Sequence, residues 1–434
     1  MKLLTYTLEN LRNNSYWFLD FIKNSPIKKH TNDISFILEN FSNKKSEDLR
    51  KNKLEKIVNH ARETTPFYKE YKKFEDLPIV NKNTIRNSRE AFQSNAFNKE
   101  QLRTVSTSGS TSIALEIDQN PNKIKRNTAD SIYFGKLAGF RIGYKLLYLR
   151  NWDKHLKKSS VTKFLQNIDE FEVVDINDKY IKQIIDSIKN DASRKGWLGY
   201  PSAYELVCKY LDKTNAKPIN CNIKSIITMS EGVNKYTKES MSKYFKAPLV
   251  SRYSNMENGI IAQQAINQDY YIINWASYYV EIFDLNDDTP AELGEPGRII
   301  VTDLYNYANP FLRYDTGDIG MIDYSVTPPI LKHVEGRKTD VIFNTKGDIV
   351  SSFIITNIVD YKGVIQGQLI QEKQKEYTIK LNTTKEFNQE KEVLSEFTGY
   401  LGSDAIIQID YVKEIPLLTS GKRKATVNNY SVSQ

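Results

Sequence analysis

From about residue 101, short apolar runs alternate with longer stretches of helical periodicity, and nothing else in the chain constrains its fold as strongly. The apolar runs fall at 102–107, 145–149, 171–175, 195–200 and 225–229, and stretches of helical character such as 124–138 and 179–190 lie between them. Strands separated by helices pair in parallel, because the helix returns the chain to the same end of the sheet. A layered α/β core is therefore predicted over 101–339. From about 270 the strands come without helices, at 270–275, 280–285 and 297–303, which predicts a β-rich subdomain. Residues 1–100 read as a helical lead-in. Leu54, Ile57, Val58 and Ala61 recur at helical spacing, and Thr65-Pro66 ends that run. Beyond 340 the pattern changes again: strands at 341–343 and 349–352, a helix at 353–360, strands at 365–371 and 376–382, a helix at 388–399 and a strand at 405–411. That is a small α+β unit, 340–434.

Composition narrows the function. Hydrophobic residues make up 40% of the 434 and charged residues 26%, enough for a core and incompatible with a wholly disordered chain. No run approaches a membrane span, and the start, Met1 to Asn14, reads as mature protein rather than signal peptide. Two cysteines, Cys208 and Cys221, make neither a disulfide scaffold nor a thiolate metal cluster. A cytoplasmic protein is predicted, with no transmembrane segment. The balance of 61 basic against 53 acidic residues, net +8, favours anionic partners including nucleotides. Nucleic acid is not expected: the cations are interleaved with Glu and Asp, as over 44–56, and form no focused platform. His30, His60, His155 and His333 are widely separated, and no motif marks them as a site.

Six segments carry chemistry. Thr104 to Ser112 is a hydroxyl-rich turn around Gly109 after a strand. Backbone N–H and side-chain O–H groups there could hold an anion, although a plain serine-rich loop reads the same way. It lacks the spacing of a P-loop. Ser230-Glu231-Gly232 closes an apolar strand, the end at which open α/β sheets bind ligands. Tyr253 stands four positions before Glu257: an aromatic for a base or for the core, and a hard oxygen ligand for Mg²⁺. In Tyr314-Asp315-Thr316-Gly317-Asp318 the last carboxylate follows a glycine turn and could take two ribose hydroxyls, or simply close an Asx turn. Gly336-Arg337-Lys338-Thr339-Asp340 offers a planar guanidinium and then a place for a hinge. Lys422, after Gly421, is either a point charge for a phosphoryl group or part of a basic tail with Arg423 and Lys424.

Each segment is weak alone; their order over 104–424 resembles the adenylate-forming, acyl- and aryl-CoA ligase superfamily. The branch it is most similar to is the phenylacetate–coenzyme A ligase group, including relatives linked to capsular and other surface polysaccharides. That resemblance implies a large N-terminal domain binding ATP and a carboxylic acid, and a small mobile C-terminal domain hinged at Asp340. It implies activation of the acid to acyl-AMP with release of pyrophosphate, then transfer to a thiol or amine. By the same resemblance Thr107, Ser108, Gly109, Ser110 and Thr111 wrap the β/γ-phosphates, and Ser230, Glu231 and Gly232 line the adenine pocket. Tyr253 stacks on adenine, Glu257 binds Mg²⁺, Asp318 holds the ribose, Arg337 touches ribose or phosphate, and Lys422 bridges the carboxylate and the α-phosphate.

The sequence departs from the family's pattern in two places. Ser112 stands where the phosphate loop usually has a second glycine, with Ile113-Ala114 in place of its basic-proline step. Ser254-Asn255-Met256 precedes Glu257 where a hydroxyl is usual. The expected partners are a small carboxylic acid and an acceptor: coenzyme A, a carrier protein or an amino sugar. The acid pocket is expected around Gly199 to Ala203 and Ser251 to Asn255, whose Ser and Asn suit a polar acid. A homodimer is compatible with the sequence. The competing class is a non-catalytic homologue acting as a binding or scaffold protein.

Overall fold

Three helices open the chain: α1 (Lys2–Ile22), α2 (Pro26–Glu39) and α3 (Lys44–Thr64). The structure, a computed structural model, describes residues 2–106, 115–150, 152, 157–173, 176–337, 342–347, 349–350, 355, 358, 361–416 and 424–430. The chain divides into two compact units. One comprises Thr7–Gly143 and Arg252–Val334; the other comprises Met1–Tyr6, Tyr144–Ser251 and Glu335–Gln434.

In the first unit, Pro26 opens α2, where its missing N–H costs nothing. Asp20 accepts the N–H groups of Ile27 and Lys28 at 3.0 and 2.9 Å, satisfying donors that the helix cannot. After α4 (Lys82–Asn87), capped by Asn81, β1 (Arg103–Ser106) pairs antiparallel with β2 (Glu116–Gln119). Helix α5 (Pro121–Leu137) follows.

In the second unit the chain runs through β3 (Lys145–Arg150), α6 (Ser160–Gln166), β4 (Ile168–Glu172), α7 (Asp178–Asn190), β5 (Lys195–Gly199), α8 (Pro201–Lys213), β6 (Ile223–Met229) and α9 (Lys235–Phe245). It then enters β7 (Leu249–Asn255), whose last four residues belong to the first unit. The strands lie in the order β4-β3-β5-β6 and pair in parallel, as the alternation predicts. Ile181, Ile184, Ile185 and Ile188 of α7 pack in one apolar cluster with Leu147, Leu149, Trp197 and Tyr204. The strand expected at 171–175 lies three residues earlier. Asn167 ends α6 in the left-handed region (φ 54°), so β4 begins at the next residue.

The first unit resumes with β8 (Gly259–Gln264), antiparallel to residues 252–255 of β7, then β9 (Tyr271–Ile273), β10 (Tyr278–Phe283), β11 (Gly297–Asp303), β12 (Tyr314–Asp323) and β13 (Ile330–Arg337), whose last three residues belong to the second unit. Their order is β8-β9-β13-β12-β11-β10. Ile34 and Ile37 of α2, with Ala129 and Phe134 of α5, pack with Ile261, Ile273, Ile299 and Val301. Beside this apolar contact α5 buries charge. Lys123 lies 2.6 Å from Asp303, and Arg126 lies 2.6 Å from Asp33, 2.7 Å from Ser277 and 2.8 Å from Tyr305.

The C-terminal part of the second unit holds β14 (Ile342–Phe343), β15 (Ile349–Val350), β16 (Val364–Gln371), β17 (Glu376–Thr383), α10 (Glu390–Leu401), β18 (Ile406–Tyr411) and β19 (Thr426–Asn428). Its sheet runs β18-β17-β16-β19, with Leu369, Ile379, Leu381, Val393 and Phe397 in the core. Most of the helix expected at 353–360 lies outside the described residues. The chain on either side of 417–423 is tied to β16. Gln366 Oε1 accepts the N–H of Ile415 at 2.9 Å, the N–H of Leu369 donates to the Ala425 carbonyl at 2.9 Å, and Gln368 Nε2 donates to the Lys424 carbonyl at 2.9 Å. Glu205 of α8, buried in the same unit, accepts from Gln366 Nε2, from Asn234 Nδ2 at 3.1 Å and from Lys209 at 2.9 Å. Among the described residues no helix is long and apolar enough to cross a membrane.

Candidate functional site

In the first unit, two carboxylates singled out by sequence each meet a tyrosine. Strand β12 does not run straight against β11. Ile300 pairs with Asp315 and Arg298 with Ile319, so β12 spends two extra residues between those pairs. The result is a bulge, with Gly317 at φ 77°, a conformation that favours glycine. The N–H of Gly317 donates to Asp315 Oδ1 at 2.8 Å, and Thr316 Oγ1 donates to the Ile299 carbonyl at 2.9 Å. Asp318 therefore sits in a bulged strand rather than in a free turn. The Tyr253 hydroxyl donates to Asp318 Oδ2 at 2.8 Å and reaches Thr316 Oγ1 at 3.2 Å. The Tyr253 ring belongs to the apolar cluster of α2 and α5. Burial, and then the charge of Asp318, hold its hydroxyl protonated far above the usual range.

Glu257 occupies the turn between β7 and β8. Asn255 Oδ1 accepts the N–H of Asn258 at 2.8 Å, closing that turn, and Gly259 leaves it at φ 114°. A side chain at 259 would place a Cβ 2.9 Å from Asn127 Oδ1 and 3.0 Å from the Tyr278 hydroxyl. Beneath the turn, the Tyr278 hydroxyl donates to the Asn258 carbonyl at 2.5 Å and lies 3.1 Å from Lys123 Nζ. Glu257, only 8% exposed, accepts from the Tyr314 hydroxyl at 3.3 Å and has Lys82 Nζ at 3.6 Å, both on Oε1. Burial, then the Glu257 charge, push the Tyr314 hydroxyl well above its ordinary pKa. Lys82 reaches this place because Val80 bridges Tyr314: the Val80 N–H donates to the Arg313 carbonyl at 3.0 Å, and the Asp315 N–H to the Val80 carbonyl at 2.8 Å. Sequence reading missed both Lys82 and Tyr314. Tyr314 lies inside a quoted motif, whereas no local signal marks Lys82.

A magnesium ion can be tested against this geometry. Among the described residues no three His, Cys, Asp or Glu side chains group as a metal cage. Glu257 offers a single buried carboxylate whose contacts gather on one oxygen. That donor set fits an ion shared with phosphate oxygens, the usual habit of Mg²⁺ at nucleotide sites, and does not fit a self-sufficient protein site.

In the second unit, Ser230 ends β6 in the left-handed region (φ 70°), an uncommon state for a non-glycine residue. Glu231 turns back onto the start of α8: its two oxygens accept the N–H and the hydroxyl of Ser202, each at 3.1 Å. A carboxylate at a helix N-terminus is favoured by both the free N–H groups and the dipole. Gly232 faces open space. Of the residues expected to line the acid pocket, Tyr200, Ser202 and Ala203 are buried at the β5–α8 junction, and the Ser251 hydroxyl meets Thr228 at 3.2 Å. Thr107, Ser108, Gly109, Ser110 and Thr111, expected to hold phosphates, Asp340, the expected hinge, and Lys422 lie outside the described residues. Arg337 closes β13, and its side chain also lies outside them.

Comparison with known proteins bears on the fold. Residues 342–429 match the model of the CapK C-terminal domain. Protein CapK of Staphylococcus aureus is 20% identical over 422 residues, covering 88% of this chain and 89% of its own. A 2-hydroxyisobutyryl-CoA ligase, solved in its postadenylation state with 2-HIB-AMP, superimposes with a TM-score of 0.68 at 14% identity, over 87% of this chain and 88% of that one. ATP-bound MatB from Rhodopseudomonas palustris gives 0.55 at 16% identity, over 77% and 69%. Identities this low speak for the fold. The chain therefore has the adenylate-forming ligase fold, and its C-terminal part is related to the CapK C-terminal domain.

Proposed function

We propose that this protein activates a carboxylic acid with Mg·ATP and transfers the acyl group to a thiol or amine. The observation that carries this reading is the pair of tyrosine-held carboxylates, Asp318 with Tyr253 and Glu257 with Tyr314, inside this fold. In the first step an acid oxygen attacks the α-phosphorus, the bond to the β-phosphate oxygen breaks and pyrophosphate leaves. In the second, the acceptor's sulfur or nitrogen attacks the acyl carbon, AMP leaves and the acceptor gives up a proton. Both reactants of the first step are anions, so catalysis rests on placement and on cations rather than on a strong base.

In this reading Asp318 accepts the ribose hydroxyls, and Tyr253, which donates to its Oδ2, is assigned the stacking on adenine. Ser230, Glu231 and Gly232, with Glu231 held by α8, are assigned the adenine. Magnesium bound at Glu257 would neutralise phosphate charge, and Lys82 adds a second cation beside that carboxylate. The hydroxyl loop 107–111, Arg337 and Lys422 are assigned the phosphates, the ribose edge and the adenylation step, with Asp340 as the hinge. Coenzyme A, a carrier thiol or an amino sugar are the acceptors to test, and surface-polysaccharide synthesis is the setting implied by the resemblance of the motif series.

The test is pyrophosphate release from Mg·ATP with pools of carboxylic and amino acids, first alone and then with coenzyme A. Acid-dependent release establishes adenylation, and thioester formation identifies a CoA ligase. Asp318→Ala should lower release at least about a hundredfold, the scale of losing an interaction aimed at the reacting nucleotide. Lys422→Ala should abolish release and spare transfer from preformed acyl-AMP. No release with any acid, together with no ATP binding by calorimetry, would assign the chain to the non-catalytic class.

A further inference from the structure

Helix α1 is built inside out. Among its described side chains the two acidic residues are the buried ones: Glu9 is 1% exposed and Asp20 is 6%. Asp20 caps α2, and the Glu9 backbone approaches Gly143 so closely that a Cβ there would lie 2.1 Å from the Glu9 carbonyl oxygen. The opposite side carries Leu4, Leu8, Leu11, Phe18 and Ile22, at spacings of four and three with Ser15 filling the gap, and every one of the five is exposed. Leu19 and Phe21 widen this face, and Phe18, Phe21 and Ile22 are each 60% exposed or more. Soluble helices turn such a stripe inward. An exposed patch of this kind marks a contact surface.

Charge decides what it contacts. Residues 1–32 contain no carboxylate other than the buried Glu9 and Asp20. Next to the aromatic end of the stripe, Lys23, Lys28 and Lys29 are exposed. A surface of leucine, phenylalanine and lysine without acid complements an anionic lipid interface, where apolar side chains enter the acyl boundary and lysines meet headgroups. A second copy of the same helix would instead bring like charges together. Leu19 and Phe21 also make the face broader than the narrow seam that two helices share. We propose that α1 lies in the plane of an anionic membrane surface and holds the protein there peripherally. This assignment does not depend on the reaction proposed above.

The test is flotation of the full chain with vesicles of phosphatidylcholine alone, or of three parts phosphatidylcholine to one part phosphatidylglycerol, alongside sedimentation without lipid. Binding should require the anionic lipid and should fall as salt rises from about 0.1 to about 0.5 M. The double variant Phe18→Glu, Ile22→Glu, at exposed positions, should lose at least about tenfold in vesicle affinity with its unfolding midpoint unchanged. Lys28→Glu with Lys29→Glu should weaken binding without abolishing it. Absence of vesicle binding, or binding indifferent to Phe18→Glu, Ile22→Glu, overturns the proposal. So does a dimer in solution that this variant breaks while vesicles are ignored, which would assign the face to a second copy.

Discussion

The parallel-stranded region 144–251 and the α5 region of the first unit are both tightly buried, yet they fill their interiors with opposite materials. Under α7 the fill is Ile181, Ile184, Ile185 and Ile188 against Leu147, Leu149 and Trp197. Each such side chain gains about 1.5–3 kcal/mol from leaving water, with no partner required. On α5, Lys123, Arg126 and Asp130 are wholly buried, and their stability depends on Asp303, Asp33, Ser277 and Tyr305 being in place. Charges so placed repay their desolvation only while every partner is present. The isoleucine core tolerates error by degrees, whereas the charged one fails when a single partner is removed.

That contrast can be broken by mutation. Arg126→Ala leaves Asp33 and Asp130 facing a hole where a cation was, and should lower the unfolding free energy in urea by about 3–5 kcal/mol. Ile184→Ala should cost about 2–4 kcal/mol, graded with the cavity it leaves. If the isoleucine change costs more than the arginine change, the charged core contributes less than its geometry implies. Asn234→Ala removes the side chain that accepts the Thr237 N–H at 2.8 Å to start α9, and should cost about 1 kcal/mol.

The smallest effect sharpens the comparison through pH. Burial, and then Arg126, lower the pKa of Lys53 to about 8, against the opposing pull of Asp33. Between that value and its ordinary one near 10.5 the unfolded chain holds more protons than the folded chain, so this residue makes stability rise with pH over the window. Unfolding of wild type and Lys53→Met across pH 8 to 10.5 should show a less positive slope in the variant. Parallel slopes would mean that Lys53 stays solvated.

The same contrast explains what could be read from the sequence. Apolar periodicity located β3, β5, β6, α7 and, farther on, β16, β17, α10 and β18, because those elements turn apolar side chains toward a core, only partly buried in β18, at the repeat of their own geometry. Helix α5 was found too, but its buried face was not: Lys123, Arg126 and Asp130 stand at the spacings of an exposed ion-paired helix. Tyr314 to Asp318 reads as a turn because glycine and aspartate mark turns, and a bulge within a strand calls for the same residues. Glu257, Asp318 and Tyr253 were legible through motif order. The approach of Lys82 to Glu257 depends on the Val80–Tyr314 bridge, a pairing between residues more than two hundred positions apart, which no local pattern encodes.

The ties around 417–423 have a mechanical consequence. The described flanks of that segment, Ile415 on one side and Lys424 and Ala425 on the other, are pinned to one strand, β16, so a change in β16 is felt on both sides at once. Gln366 grips with both hands: its carbonyl oxygen holds Ile415, and its amide nitrogen reaches Glu205 of α8. Letting go of α8 would leave the bond to Ile415 intact, whereas losing Gln366 altogether would remove both ties at once. Glu205→Gln and Gln366→Ala therefore separate the tie to α8 from the tie to the flank at Ile415.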